Sequence, residues 1–118
     1  MATRRLFSKK VLYDDHFSTL TSTAKALYIY MNMEADDDGV IGCMRQVLRY
    51  AGANRKSLDM LVDRGLVIEL SNGICIISHW HIHNNIPKDR YTPSVYQKEL
   101  EYVSLTSAGI YVIRYAHQ

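Results

Sequence analysis

The stretch that decides the fold is Gly65-Leu66-Val67-Ile68-Glu69-Leu70-Ser71-Asn72-Gly73-Ile74-Cys75-Ile76-Ile77-Ser78-His79-Trp80. Two runs rich in β-branched residues flank Ser71-Asn72-Gly73, and Asn-Gly between such runs is the strongest short-range signal for a β-hairpin. Upstream the apolar period is helical. Ala24, Leu27, Tyr28 and Met31 fall at i, i+3, i+4 and i+7, which predicts a core-facing helix over residues 22–33 with Thr21 or Ser22 as its cap. Glu34-Ala35-Asp36-Asp37-Asp38-Gly39 reads as a solvated turn, followed by a very short strand at Val40-Ile41. A second helix is expected over residues 44–51, stopping at Gly52. Asn54 can cap a third that runs through Arg64 with Leu58, Leu61 and Val62 inward and Gly65 at its end.

Helix, short strand, helix, tight turn, helix and hairpin is the order of a winged helix-turn-helix, an α+β fold of three helices plus a β-hairpin wing. In that arrangement the third helix enters the major groove of DNA. Beyond the hairpin the sequence predicts a polar connector through Tyr91, a helix from Pro93 to about Val103 capped by Thr92, and an apolar alternating segment, Ile110 to Tyr115. The expected organisation is a winged-helix domain at residues 1–92 and a C-terminal helix and strand extension at 93–118 that packs on it or forms a dimer contact. No internal repeat is evident.

The 118 residues suit one ordinary core: apolar residues make up 47% and charged residues 22%, both near the average for folded domains. No apolar run approaches a membrane span, and the start lacks a signal-peptide stretch, so a cytoplasmic protein with no membrane partner is expected. Two cysteines, Cys43 and Cys75, are too few and too far apart for a disulfide framework or a zinc finger, and both read as small buried apolar residues. The net charge of +2 hides an asymmetry. Residues 1–12 carry +4 (Arg4, Arg5, Lys9, Lys10), residues 13–44 carry −5, and residues 45–65 carry +3. Base concentrated in an N-terminal arm and one helical stretch is what a phosphate-binding face needs.

Several strings resemble one family: Arg4-Arg5-Leu6-Phe7-Ser8, Ala26-Leu27-Tyr28 through Ala35-Asp36-Asp37-Asp38-Gly39, Gly65-Leu66-Val67, and above all His79-Trp80 through His83-Asn84 to Lys88-Asp89-Arg90-Tyr91. Together they resemble the N-terminal winged-helix domain of phage replisome organisers, the DnaD-like replication initiation proteins of phages infecting Gram-positive bacteria. The resemblance covers roughly Arg4 to Glu99. It implies a protein that binds double-stranded DNA at a phage origin, works in the host cytoplasm and helps to recruit host replication-initiation or helicase-loading proteins. Family members are usually longer, so a truncated organiser and a stand-alone module are both expected alternatives.

For DNA contact the sequence offers Asn54, Arg55, Lys56 and Ser57 at the start of the third helix, Arg45 on the second, Asn72 at the wing tip, and Lys88 with Arg90 in the connector. Arg pairs bidentately with guanine or phosphate and Asn with adenine, whereas Asp59 and Asp63 would have to face away. A surface helix that only solubilises the fold would show the same residues. His79, His81 and His83 would share one face if the strand ran on to residue 83, a spacing compatible with zinc, although buried or hydrogen-bonded histidines are the preferred reading. Arg90 is a candidate partner for the acidic turn, and Trp80 a core anchor. Without a Gly-rich phosphate loop, a nucleophile elbow or a Ser/His/Asp order, a non-enzymatic protein with no cofactor and no metal is expected. The alternative function is a phage-encoded protein-interaction module or inhibitor of a host replication or defence factor. The segment from Ile110 to Tyr115, apolar on both faces, suggests burial against a second chain as a homodimer, or packing back within the same chain.

Overall fold

The structure is a computed structural model that describes residues 5–114. Short helices α1 (Lys9–Leu12) and α2 (Asp15–Ser18) lead into α3 (Ser22–Glu34). The Thr21 hydroxyl caps α3 by accepting from the Ala24 amide (3.2 Å). Its inner stripe, Ala24, Leu27, Tyr28 and Met31, is fully buried. Strand β1 (Val40–Ile41), α4 (Met44–Ala51) and α5 (Arg55–Asp63) follow, with α4 and α5 both packed on α3. Asn54 caps α5 by accepting from the Ser57 amide, as its sequence position predicts.

Strands β2 (Val67–Glu69) and β3 (Cys75–Ile77) form the expected hairpin, and β1 adds to it antiparallel, giving the order β1-β3-β2. The hairpin loop is Ser71-Asn72-Gly73. The Gly73 amide donates to the Leu70 carbonyl and the Leu70 amide to Ile74, and Gly73 takes φ +87°. Asn-Gly therefore serves a three-residue loop whose last position must be left-handed, rather than a two-residue turn. Trp80, Tyr28, Leu27, Met31, Leu58, Leu61, Ile76 and Ile77 fill the core between the helices and this sheet.

Downstream the structure departs from the sequence reading. Residues 80–83 are not strand but a helical turn, α6 (Trp80–His83). After a 3₁₀ turn at Lys88–Arg90, the expected helix over 93–103 shrinks to α7 (Gln97–Leu100). The amides meant for its first turn are used elsewhere: Thr92 donates to Asp37 and Ser94 to Asp38. Val103 instead opens β4 (Val103–Leu105), which pairs antiparallel with β5 (Tyr111–Ile113), so the apolar segment finds a partner strand within the chain. Tyr115 and Arg4 lie outside the described residues.

The two hairpins are the same device used twice, a repeat that the sequence reading missed. Val67↔Ile77 and Val103↔Ile113 are equivalent pairs thirty-six positions apart. Ser107-Ala108-Gly109 repeats the loop, with Thr106 donating to Ile110 and Gly109 at φ +85°. The second hairpin is tied to the first sheet by the Tyr111 amide on the Ser78 carbonyl (2.8 Å), and its Val103 and Tyr111 join the core. Among the described residues no helix is long and apolar enough to cross a membrane.

Candidate nucleic-acid interface

The candidate residues have separate fates. Asn54 and Lys56 are exposed at the start of α5, and Lys56 has no ion-pair partner among the described residues. Ser57 is buried and cannot touch a ligand. Arg55 is exposed but engaged: its guanidinium pairs with both carboxylate oxygens of Glu69 on β2 and its Nε with Asp59 (3.0 Å). These carboxylates push its pKa further up, and they neutralise the charge that a phosphate would need. With Asp63 also exposed, the outer face of α5 and β2 holds more acid than base. Asn72 at the hairpin tip donates to Glu99 on α7 and accepts from the Ile74 amide, so it too is occupied.

The base lies on α4. Arg45 and Arg49 are exposed one turn apart, with no carboxylate partner among the described residues and no acidic residue on the helix. Gln46 donates to the Tyr50 hydroxyl on the same exposed side (2.8 Å). Arg49 was missed by sequence reasoning, although the i, i+4 spacing from Arg45 was the signal that could have found it. Lys88 and Arg90 are exposed on the 3₁₀ turn, with no carboxylate partner among the described residues.

The acidic turn is not solvated. Asp37 and Asp38 are buried because residues far off in sequence converge on them. Asp38 accepts from the Tyr91 hydroxyl (2.8 Å to each oxygen) and the Ser94 amide, and its carbonyl accepts from the Tyr111 hydroxyl. Tyr91, not Arg90, is thus the connector's partner for this turn, and burial together with the Asp38 carboxylate raises the Tyr91 pKa to about 12. Asp36 folds the turn itself by accepting from the Asp38 and Val40 amides. The Trp80 indole donates to the Asp37 carbonyl (2.9 Å). Arg5 enters the same cluster: its Nη2 lies 3.8 Å from Asp37 Oδ1 and donates to the Ala35 carbonyl, and its guanidinium sits 5.1 Å from the centre of the Trp80 ring. Its side chain is 2% exposed, so this part of the basic arm holds the fold together and is not presented to a phosphate.

The three histidines also go separate ways, because on a helical turn His81 faces away from His79 and His83. His83 is a structural bridge. Its Nδ1 accepts the Ser8 amide (2.8 Å), so its Nε2 carries the hydrogen in the contact with the Tyr28 hydroxyl (2.6 Å). Burial lowers its pKa to about 4 and keeps it neutral. Asn84 fixes the arm beside it by accepting from the Leu6 amide. His81 contacts the Tyr111 hydroxyl (2.9 Å), and His79 borders a cavity near α1 and α2. No three His, Cys, Asp or Glu groups converge as metal ligands among the described residues. The string from His79 to Tyr91 therefore ties together the arm, α3 and the acidic turn. Cys75 is buried, with its thiol pKa raised to about 12 by burial, whereas Cys43 is exposed just before α4, contrary to its reading as a buried residue.

No family model, curated protein or solved structure matches the chain.

Proposed function

We propose that the chain is a winged helix-turn-helix protein that binds double-stranded DNA, of the phage replisome-organiser type, with α4 and the start of α5 as its phosphate-facing surface. The observation that carries the reading is the pair α4 and α5, joined by Gly52-Ala53-Asn54 and packed on α3 ahead of a β-hairpin, with Arg45, Arg49 and Lys56 unpaired on its outside. Three phosphate contacts would give a salt slope of about −3 on logarithmic axes. Arg55 acts differently in this reading. By bonding Glu69 it clamps the α5 N-terminus to β2 and fixes the angle between helix and wing. Asn54 caps α5 with its Oδ1, which leaves its Nδ2 as the group that could contact a base edge at that helix end, and Lys88 with Arg90 supply an accessory phosphate contact. Recruitment of host replication-initiation or helicase-loading proteins belongs to the same proposal, as does a homodimer that would set two such surfaces on one duplex.

The test is a fluorescence-anisotropy titration of labelled duplex and single-stranded DNA at about 50 and about 200 mM salt. Binding to duplex that weakens steeply with salt supports the reading. A flat signal on both DNAs refutes it.

A second reading, a protein-interaction module, is favoured by one observation. The outer stripe of α3 exposes Ile29, Tyr30 and Met33, each between 43% and 49%, on the face opposite its buried stripe. Loss of partner capture with DNA binding intact in an Ile29→Ser, Met33→Ser variant would mark that stripe as a separate protein surface.

A further inference from the structure

We propose that the cavity between the α1–α2 segment, the turn after α5 and the second hairpin binds a small carboxylate with an apolar body. It has a volume of about 580 Å³, inside the range of small-molecule sites, and it opens where the C-terminal hairpin meets the rest of the fold, the kind of junction where such sites form. Val11, Leu66, Ile82 and Ile110 give it apolar walls. Its polar groups are unequal. Asp14 bonds His16 through one oxygen, Oδ1, accepting from that residue's amide (2.9 Å) and contacting its ring (2.7 Å), and these bonds hold its pKa below the usual carboxylate range. Lys10 and Arg64 also line the cavity, and neither has a carboxylate partner among the described residues. Among the described residues Arg64 gives one nitrogen, Nη1, to protein acceptors, the His16 carbonyl and the Thr19 hydroxyl.

His79 also lines the cavity, but its Nδ1 is buried with no hydrogen-bond partner among the described residues and is shielded from the cavity rather than presented to it. Burial also lowers the His79 pKa, so the positive charge at the cavity comes from Lys10 and Arg64. Two cations without carboxylate partners among the described residues, together with aliphatic walls, select an anionic head on an apolar body. A bare inorganic ion would leave the walls unused, and a neutral alcohol would leave the cations unused.

The experiment titrates octanoate, with 1-octanol as its neutral counterpart, into the full chain, following the His79 ring resonances and the binding heat. Ala108, exposed at the hairpin tip on the cavity rim, allows the cavity to be filled without touching the core. Ala108→Trp and Lys10→Glu are compared with wild type, with circular dichroism confirming that each is folded. Saturable octanoate binding that shifts His79, weakens at least about tenfold in either variant and is at least about tenfold weaker for 1-octanol is expected, since a charged hydrogen bond contributes a factor of that order. Absence of saturable binding overturns the proposal, as does binding unchanged by Ala108→Trp or equal for octanol and octanoate. DNA binding is read in parallel and its outcome does not enter this test.

Discussion

His83 should make stability fall on acidification in a way that one substitution abolishes. Burial first, and the neighbouring His79 second, lower its pKa from 6.5 in the unfolded chain to about 4 in the fold. The cause is visible: Nδ1 must stay unprotonated to accept the Ser8 amide, and the ring is enclosed against Tyr28 and Phe7. Between those two values the unfolded chain takes up a proton that the folded chain refuses. The contribution is therefore fully present above about pH 6.5 and is lost as pH falls towards 4. Allowing for solvent screening, this single group should remove roughly 1–2 kcal/mol of unfolding free energy between about pH 7 and pH 5. The assay is urea denaturation at several pH values on wild type and His83→Gln, whose amide can accept from Ser8 and donate to Tyr28 without titrating. Wild type should lose stability across that interval faster than the variant by the stated amount. His79 and His81, both lowered by burial, act in both proteins and cancel in the difference. Parallel pH profiles would refute the assignment of His83 as a neutral bridge.

Other perturbations probe the same cluster. Trp80→Ala empties the largest fully buried site and should cost roughly 3–5 kcal/mol by chemical denaturation. A midpoint within error of wild type would contradict its place in the core. Gly39→Ala should cost at least about 1–3 kcal/mol, because a Cβ there would lie 2.6 Å from Trp80 Cγ on a backbone at φ +85°. Arg5→Met leaves Asp37 buried without its cation and should cost roughly 3–5 kcal/mol, whereas a surface arm would cost almost nothing.

How far the fold can be read from the sequence depends on how local its causes are. Helices α3, α4 and α5 and the first hairpin follow from apolar period, the caps at Thr21 and Asn54, and Asn-Gly, all within a few residues. Their physics is short-range, so the sequence displays it. The acidic turn misleads because three successive aspartates normally mean solvent, and what buries Asp37 and Asp38 comes from Arg5 and from residues 91–111. The histidine alternation misleads because three alternate residues do not show by themselves whether the backbone is extended, and on the helical turn that forms here His81 faces away from the other two. The second hairpin hides behind Ser107-Ala108-Gly109, which lacks Asn-Gly, and behind Gln97-Lys98-Glu99-Leu100, whose helix propensity suggests a longer helix than the tertiary contacts permit. For the candidate interface the charges were visible and their pairing was not. Nothing local reveals that Glu69, fourteen residues on, occupies Arg55 while Arg45, Arg49 and Lys56 stay unpaired.

The most direct test of the central claim is the salt dependence of duplex DNA binding in single-cation variants. Lys56→Ala, Arg45→Ala and Arg49→Ala should each reduce the magnitude of the logarithmic salt slope by about one while leaving the fold intact. Arg55→Ala should leave the slope unchanged, since its charge is already paired. A slope that none of the three substitutions alters, or that Arg55→Ala alone reduces, would contradict the assignment of α4 and the start of α5 as the phosphate-facing surface.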